Sequence, residues 1–133
     1  MGKYGVVDVF DLAIYDKDGL VFEIDTVKEI IMERREDCPN NIMVVKDALF
    51  DEDLFNEVMA GKFDHRNLRI IGKSRFRSLD GSDKDVELRV TASKLTHYSF
   101  PTNVGNVSVV DLEFQFPSKD AYGFMNVELK VRD

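Results

Sequence analysis

A strict alternation of apolar and polar residues constrains the fold of this chain more than any other feature of its sequence. The clearest run alternates the apolar residues Val86, Leu88, Val90 and Ala92 with Glu87, Arg89, Thr91 and Ser93. A period of two places the two sets of side chains on opposite faces of a β-strand, so that one face is buried and the other solvated. A chain with several such runs is predicted to be mainly β.

Turn residues separate the alternating runs in a way that is typical of antiparallel hairpins. The predicted strand pairs are 4–15 with 20–25, 67–78 with 85–96, and 107–116 with 122–132. The second pair forms a long hairpin at about 67–94, joined at Asp80-Gly81, which is a strong signal for a tight turn. Residues 26–37 are predicted to extend the preceding strand through a bend or bulge.

One segment, 51–60, has the pattern of an amphipathic helix. Asp51 is placed to cap its beginning, and Gly61 is placed to end it in a left-handed conformation. An apolar stripe is formed by Leu54, Phe55, Val58 and Met59. The sequence therefore predicts a single domain, 1–133, with a mainly β fold: an antiparallel β-sandwich or barrel with one α-helix.

Charge is divided unevenly along the chain. The 61 residues at the start carry 15 acidic and 6 basic side chains, whereas residues 62–94 carry 9 basic and 5 acidic ones, within a total of −7. A molecule with an acidic and a basic region can attract copies of itself head to tail. The acidic total disfavours non-specific DNA binding, which needs a cationic face. These charges favour a binding or assembly protein.

Residue types that carry catalysis or bind metals are few. His65 and His97 are the only histidines and Cys38 is the only cysteine, so no intrachain disulfide can form. A metal site needs several converging ligands, and we expect neither a metal, a cofactor nor enzymatic activity. No apolar run approaches the length of a membrane span, and we expect no membrane partner.

A basic stripe, defined as Lys73, Arg75 and Arg77, is predicted on one face of the 67–78 strand. It is either a solvated hairpin face or a surface complementary to the acidic 1–61 region of a neighbouring copy. Binding of a nucleic acid strand is a weaker reading, because Phe76 lies on the opposite face and the aromatic interleaving is poor.

The order of these elements resembles that of bacteriophage tail tube (major tail) proteins and the related tube rings of type VI secretion. The resemblance is carried by VVDVFDLAIYDKDGLVFEIDT at the start, KDALFDEDLFNEVMAGK around the helix and VELRVTASKLTHYSFPTNVGNVSVVDLEFQF near the end. It covers most of the chain in layout.

The resemblance implies a virion tail protein that is assembled in the host cytoplasm. Its copies would form rings, usually hexameric, that stack into a tube for the passage of DNA. The partners implied are further copies of the chain and also sheath, baseplate or tape-measure proteins. DNA would pass without specific binding, because an acidic inner wall repels phosphates.

Candidate residues for the inter-subunit interface or the lumen come from two regions. They are Glu23, Asp25, Glu29, Glu33, Lys73, Arg75, Arg77, Asp80 and Gly81. Two alternatives to a tube subunit stay open. One is a monomeric β-sandwich that binds a protein or ligand, and the other is a related tail terminator or baseplate ring protein.

Overall fold

A computed structural model describes residues 6–7, 10–49, 52–64, 66–77, 81–100 and 109–132. Its elements in chain order are β1 (Val6–Val7), β2 (Phe10–Asp16), β3 (Gly19–Arg34), β4 (Asn41–Leu49), α1 (Glu52–Met59), β5 (Leu68–Arg77), β6 (Asp83–Ser99), β7 (Val109–Phe116) and β8 (Val127–Arg132). The predicted fold class is confirmed, because the described chain is mainly antiparallel β with one helix.

Two long strands, β3 and β6, divide the sheet into the two layers of a sandwich. The first half of β3 pairs with β2, and its second half pairs with β4. The first half of β6 pairs with β5 and β8, and its second half pairs with β7. The first sheet therefore contains β2, β5 and β8, and the second contains β4 and β7. Strands that pass between sheets at a bend are one way to join the layers of a β-sandwich.

Bulges mark the places where these strands bend. Leu68 pairs with Ser93 while Ile70 pairs with Val90, so β6 has one extra residue in this interval. Ala92 lies in it with a φ of 55°. A bulge of this kind reverses the alternation, and Ser93 is buried in place of Ala92. The alternation predicted for the run therefore ends at Val90.

One hydrophobic core fills the space between the sheets. The fully buried side chains include Leu12 of β2, Ile70 of β5, Val90 of β6 and Phe114 of β7. Strands from both sheets contribute to the same cluster, as facing layers require.

Helix α1 begins and ends close to the predicted residues. At its C-terminus, the amide of Lys62 donates to the Glu57 carbonyl at 3.0 Å and that of Gly61 donates to the Val58 carbonyl at 3.0 Å. Gly61 has a φ of 75°, so the predicted glycine stop is confirmed. Asp51, the predicted cap, lies outside the described residues.

The third predicted hairpin is wrong. β7 pairs with β4 and β6, and β8 pairs with β6, so β7 and β8 are not partners. Residues 117–126 form a separate small hairpin instead of the beginning of a strand. Local alternation identified both strands correctly, but it contains no information about which neighbour a strand selects.

Candidate interaction surfaces

The basic stripe faces acidic residues of its own chain. Across the first sheet, Lys73 lies opposite Asp11 of β2 on one side and opposite Glu87 of β6 on the other. Arg75 lies opposite Asp85, and their side chains are 3.4 Å apart between Nε and Oδ1. The stripe is therefore one column in a face of alternating charge.

β8 continues the same pattern at the margin of the sheet. Lys130 lies opposite Glu87, and Arg132 lies opposite Asp85. Both acids are thus flanked by basic residues on two strands. Exposed pairs of this kind contribute little to stability, but together they leave this face without a large excess of either charge.

The end of the long hairpin is described in part. Arg77 lies opposite Asp83 in the pairing of β5 with β6, and its side chain lies outside the described residues. Asp80 also lies outside them. Gly81 has a φ of 89°, a conformation that favours glycine, which fits its predicted place in the turn.

The four acidic candidates on β3 do not form a single stripe. Glu23 is exposed on the first sheet, where it lines a shallow groove with Lys73 and Arg89. Glu29 is exposed opposite Lys46, and Glu33 belongs to the second sheet. Because β3 passes from one sheet to the other, its acids are divided between two faces. The side chain of Asp25 lies outside the described residues.

Glu33 takes part in an ion-pair network on the second sheet. Arg35 donates hydrogen bonds to Glu33 and, at 3.1 Å, to Glu113 of β7. These hydrogen bonds raise the pKa of the Arg35 guanidinium above its ordinary value. The network connects the β3–β4 turn to β7, so Glu33 already has a structural role within its own chain.

An exposed apolar edge was missed by the sequence analysis. Among the described strands, β8 pairs with β6 alone, which leaves its other edge without a partner. Leu129 and Val131 are 61% and 49% exposed on this strand. Exposed hydrophobic edges of this kind are templates for pairing with another chain.

A second missed feature is the tip of the 117–126 hairpin, defined as Tyr122, Phe124 and Met125. These side chains are 87%, 71% and 58% exposed. The Asp120 carboxylate accepts hydrogen bonds from the amides of Tyr122 and Phe124 at 2.8 and 2.9 Å. The tip therefore presents large apolar groups on a hydrogen-bonded turn. Its signal in the sequence is an Asp three residues before a Gly, followed by two apolar residues, which indicates a turn more than a strand.

A third apolar surface, the helix patch, is defined as Phe55, Met59 and Tyr98. The predicted apolar stripe of α1 is divided: Leu54 and Val58 are buried, whereas Phe55 and Met59 are 38% and 54% exposed. The ring of Phe100 contacts Phe55 and Tyr98 edge-on, with centroid distances of 4.9 and 5.8 Å. These rings connect α1 to the end of β6.

The residues considered for chemistry are dispersed. The Cys38 thiol lies 3.4 Å from the Gln115 amide oxygen, and His97 lies opposite Glu113 in the sheet. His65 lies outside the described residues. Within the described ranges, no group of three or more His, Cys, Asp or Glu side chains is placed to hold a metal ion. No helix in those ranges is long and apolar enough to cross a membrane.

Comparison with known proteins identifies no relative of this chain. No protein-family model matches it, and no curated protein or solved structure does so either.

Proposed function

We propose that this protein is a non-enzymatic structural subunit that self-assembles into stacked rings of a phage-tail-like tube. Tube formation is inferred from the resemblance in layout, and self-assembly is inferred from the surfaces of the molecule. Its site of action would be the virion tail, with copies of itself as the main partner and DNA in transit.

The observation that carries the proposal is the free edge of β8. Within the described part of the sheet, the outer edge of β8 has no partner and one face of the strand exposes Leu129 and Val131. Glu128, Lys130 and Arg132 charge the opposite face only, so the apolar face stays open to pairing with another chain. Pairing with another copy would satisfy the backbone and remove the apolar side chains from water. Self-association therefore accounts for an edge that is otherwise unfavourable.

A second edge, formed by residues 28–34 of β3, supports an interface between two different surfaces of neighbouring copies. The pairing of β2 with β3 ends at Phe10 opposite Val27, and in the described structure residues 28–34 pair with β4 alone. This edge and that of β8 belong to different sheets. Two unlike complementary edges on one molecule generate a ring if the rotation closes and a filament if it does not.

The charge of the molecule is compatible with the passage of DNA. A net charge of −7 gives a general repulsion of phosphates, and non-specific DNA binding depends on cationic contacts. The basic stripe does not change this, because Asp11, Asp85 and Glu87 lie beside it.

The cavity beneath α1 is too small for a ligand-binding monomer, and the groove of about 590 Å³ beside Lys73, Arg75 and Asp85 is an open, charged surface of the first sheet. The apolar cavity lined by Leu54, Phe63 and Phe114 has a volume of about 10 Å³. Small-molecule pockets typically measure about 300–1,000 Å³. This cavity is therefore a packing gap of the core.

Sedimentation velocity and negative-stain microscopy of the purified protein over a concentration series test the proposal. We expect rings or tubes with a hollow centre. The measurement is repeated at low and high salt, since contacts between opposite charges weaken as salt rises, whereas apolar contacts persist. A protein that stays strictly monomeric at high concentration contradicts the proposal and favours the monomeric binding module.

A matched pair of variants locates the contact. Leu129→Lys places a charge on the free edge and is expected to abolish assembly without unfolding the monomer. Leu20→Lys is the control, because Leu20 is 53% exposed at the beginning of β3, away from β8. Equal assembly of both variants and the wild-type protein would exclude the β8 edge as the contact.

A further inference from the structure

β7 connects the helix patch to the tip. The helix patch lies beside the first half of β7, because Tyr98 lies opposite Leu112 and the ring of Phe100, the residue after β6, contacts Phe55. β7 ends at Phe116, immediately before the 117–126 hairpin. The four residue steps from Leu112 to Phe116, at about 3.3 Å each, span roughly 13 Å, and the hairpin follows. The molecule therefore has two different apolar surfaces at different positions along β7.

The tip is preorganised for contact. Asp120 orders the turn through its two carboxylate hydrogen bonds, and Gly123 adopts a φ of 87°. At the base, the buried Asn126 donates to the Pro117 carbonyl at 2.8 Å. A tip that is already ordered loses little conformational entropy on binding.

The helix patch is chemically complementary to the tip. Both surfaces are rich in aromatic rings and methionine, which favour edge-on ring contacts and sulfur–aromatic contacts. α1 carries the acids Glu52 and Asp53 in its first turn, whereas its third acid, Glu57, is ion-paired with Lys62. Lys119 lies at the neck of the hairpin, opposite Met125. Opposite charges at the margin of an apolar contact favour one orientation.

We propose that the tip of one copy, Tyr122, Phe124 and Met125, docks on the helix patch, Phe55, Met59 and Tyr98, of the next copy. This contact rests on the proposed self-assembly and specifies its direction, because the two surfaces are different and lie at different positions along β7. The occupant of each surface is a second copy of this chain. The contact is heterologous, so it continues from copy to copy.

The size of the surfaces indicates that this contact acts together with others. A buried aromatic side chain removes about 150–250 Å² from water. Two aromatic residues and a methionine supply roughly half of the ~800 Å² that each partner contributes to a stable interface. Pairing at the β8 edge, which follows the hairpin directly, extends the same interface.

Cysteine cross-linking between two variants tests the contact. In a Cys38→Ser background, one protein carries Tyr122→Cys and the other carries Met59→Cys, both at exposed positions that leave the core unchanged. Each is treated with a short bismaleimide, alone and after mixing with the other. We expect cross-linked dimers at least tenfold more abundant in the mixture than in either protein alone. The matched control replaces Met59→Cys by Leu20→Cys, which is equally exposed.

The outcomes separate this contact from the proposed function. Rings or tubes of the wild-type protein without selective cross-linking would overturn the docking contact and leave tube assembly in place. A wild-type protein that stays monomeric and gives no cross-link would overturn both. Monomers that bind phosphatidylcholine vesicles, and lose this binding on Tyr122→Ser and Phe124→Ser substitution, would assign the tip to a lipid surface instead.

Discussion

Thr91 of β6 donates a hydrogen bond from its hydroxyl to the Asn126 side-chain oxygen at 3.0 Å. The backbone amide of Thr91 also donates to the Asn126 carbonyl, at 2.8 Å. Asn126 in turn donates to the carbonyl of Pro117 and, through its own amide, to that of Ser118. One buried side chain thus fixes both ends of the 117–126 hairpin to the bulged region of β6.

Replacement of this asparagine is expected to destabilise the fold. Asn126→Ala removes the hydrogen bonds that this buried side chain makes with Thr91 and Pro117, and this should lower the free energy of unfolding by about 1–3 kcal/mol. Urea denaturation followed by circular dichroism measures the change. Asn67→Ala is the control, because Asn67 is exposed, and its effect should stay within about 0.5 kcal/mol. Similar midpoints for the two variants would show that the Asn126 network contributes little.

At the bend of β6, one substitution is expected to raise the free energy of unfolding. Ala92 has a φ of 55°, where a residue with a Cβ is strained and glycine is not. Ala92→Gly should therefore stabilise the protein by about 0.5–1 kcal/mol, whereas the same substitution at Ala13, in regular β2, should destabilise it by about as much. Thermal unfolding of both variants tests this. A lower melting temperature for Ala92→Gly would contradict a left-handed bulge at this position.

Reversal of one charge tests whether acidic residues of the same chain neutralise the basic stripe. Lys73→Glu places a carboxylate between Asp11 and Glu87, and like charges on neighbouring strands are unfavourable. The unfolding free energy should fall by about 1 kcal/mol in dilute buffer, and less in 1 M salt. Lys28→Glu, the same change at an exposed position of β3, is the control. Equal effects would indicate a dependence on net charge alone.

The acidic candidates on β3 can be tested in assembled particles. Glu23 and Glu29 lie on different faces, so their joint replacement by Lys covers either face as the wall of a lumen. If one of these faces lines the lumen, the variant tubes should retain short double-stranded DNA in a co-sedimentation assay, with retention lost as salt rises. Lysine at Glu36 and Asp37, in the exposed β3–β4 turn, gives the same change of net charge. Equal retention by both double variants would assign the effect to overall charge and not to a lumen.

Local patterns predicted the elements better than their arrangement. The alternation around Val90, the Asp80-Gly81 signal and the stop at Gly61 located most strands, the long hairpin and the helix. They did not predict that β8 would pair with β6, because a strand that alternates correctly can pair with any edge that buries the same face.

The candidate site was predicted less well for a related reason. Glu23 and Glu33 share a face if β3 is treated as one regular strand. The two are separated by an extra residue of β3 between Ile24 and Val27, where Leu12 and Phe10 are their partners, and by the change of sheet. Exposure of Phe55 beside buried Leu54 likewise depends on how α1 is oriented on the sheets. Neighbouring positions in an apolar stripe do not distinguish core from surface.

The sequence by itself determined which segments form strands and which forms the helix, because side-chain alternation, turn glycines and helix ends act over a few residues. Only the tertiary structure decided the partners of each strand, the neutralisation of the basic stripe, and which apolar side chains remain in water. Those depend on contacts between residues far apart in the chain. Such contacts are selected by the packing of the whole core and not by any local pattern.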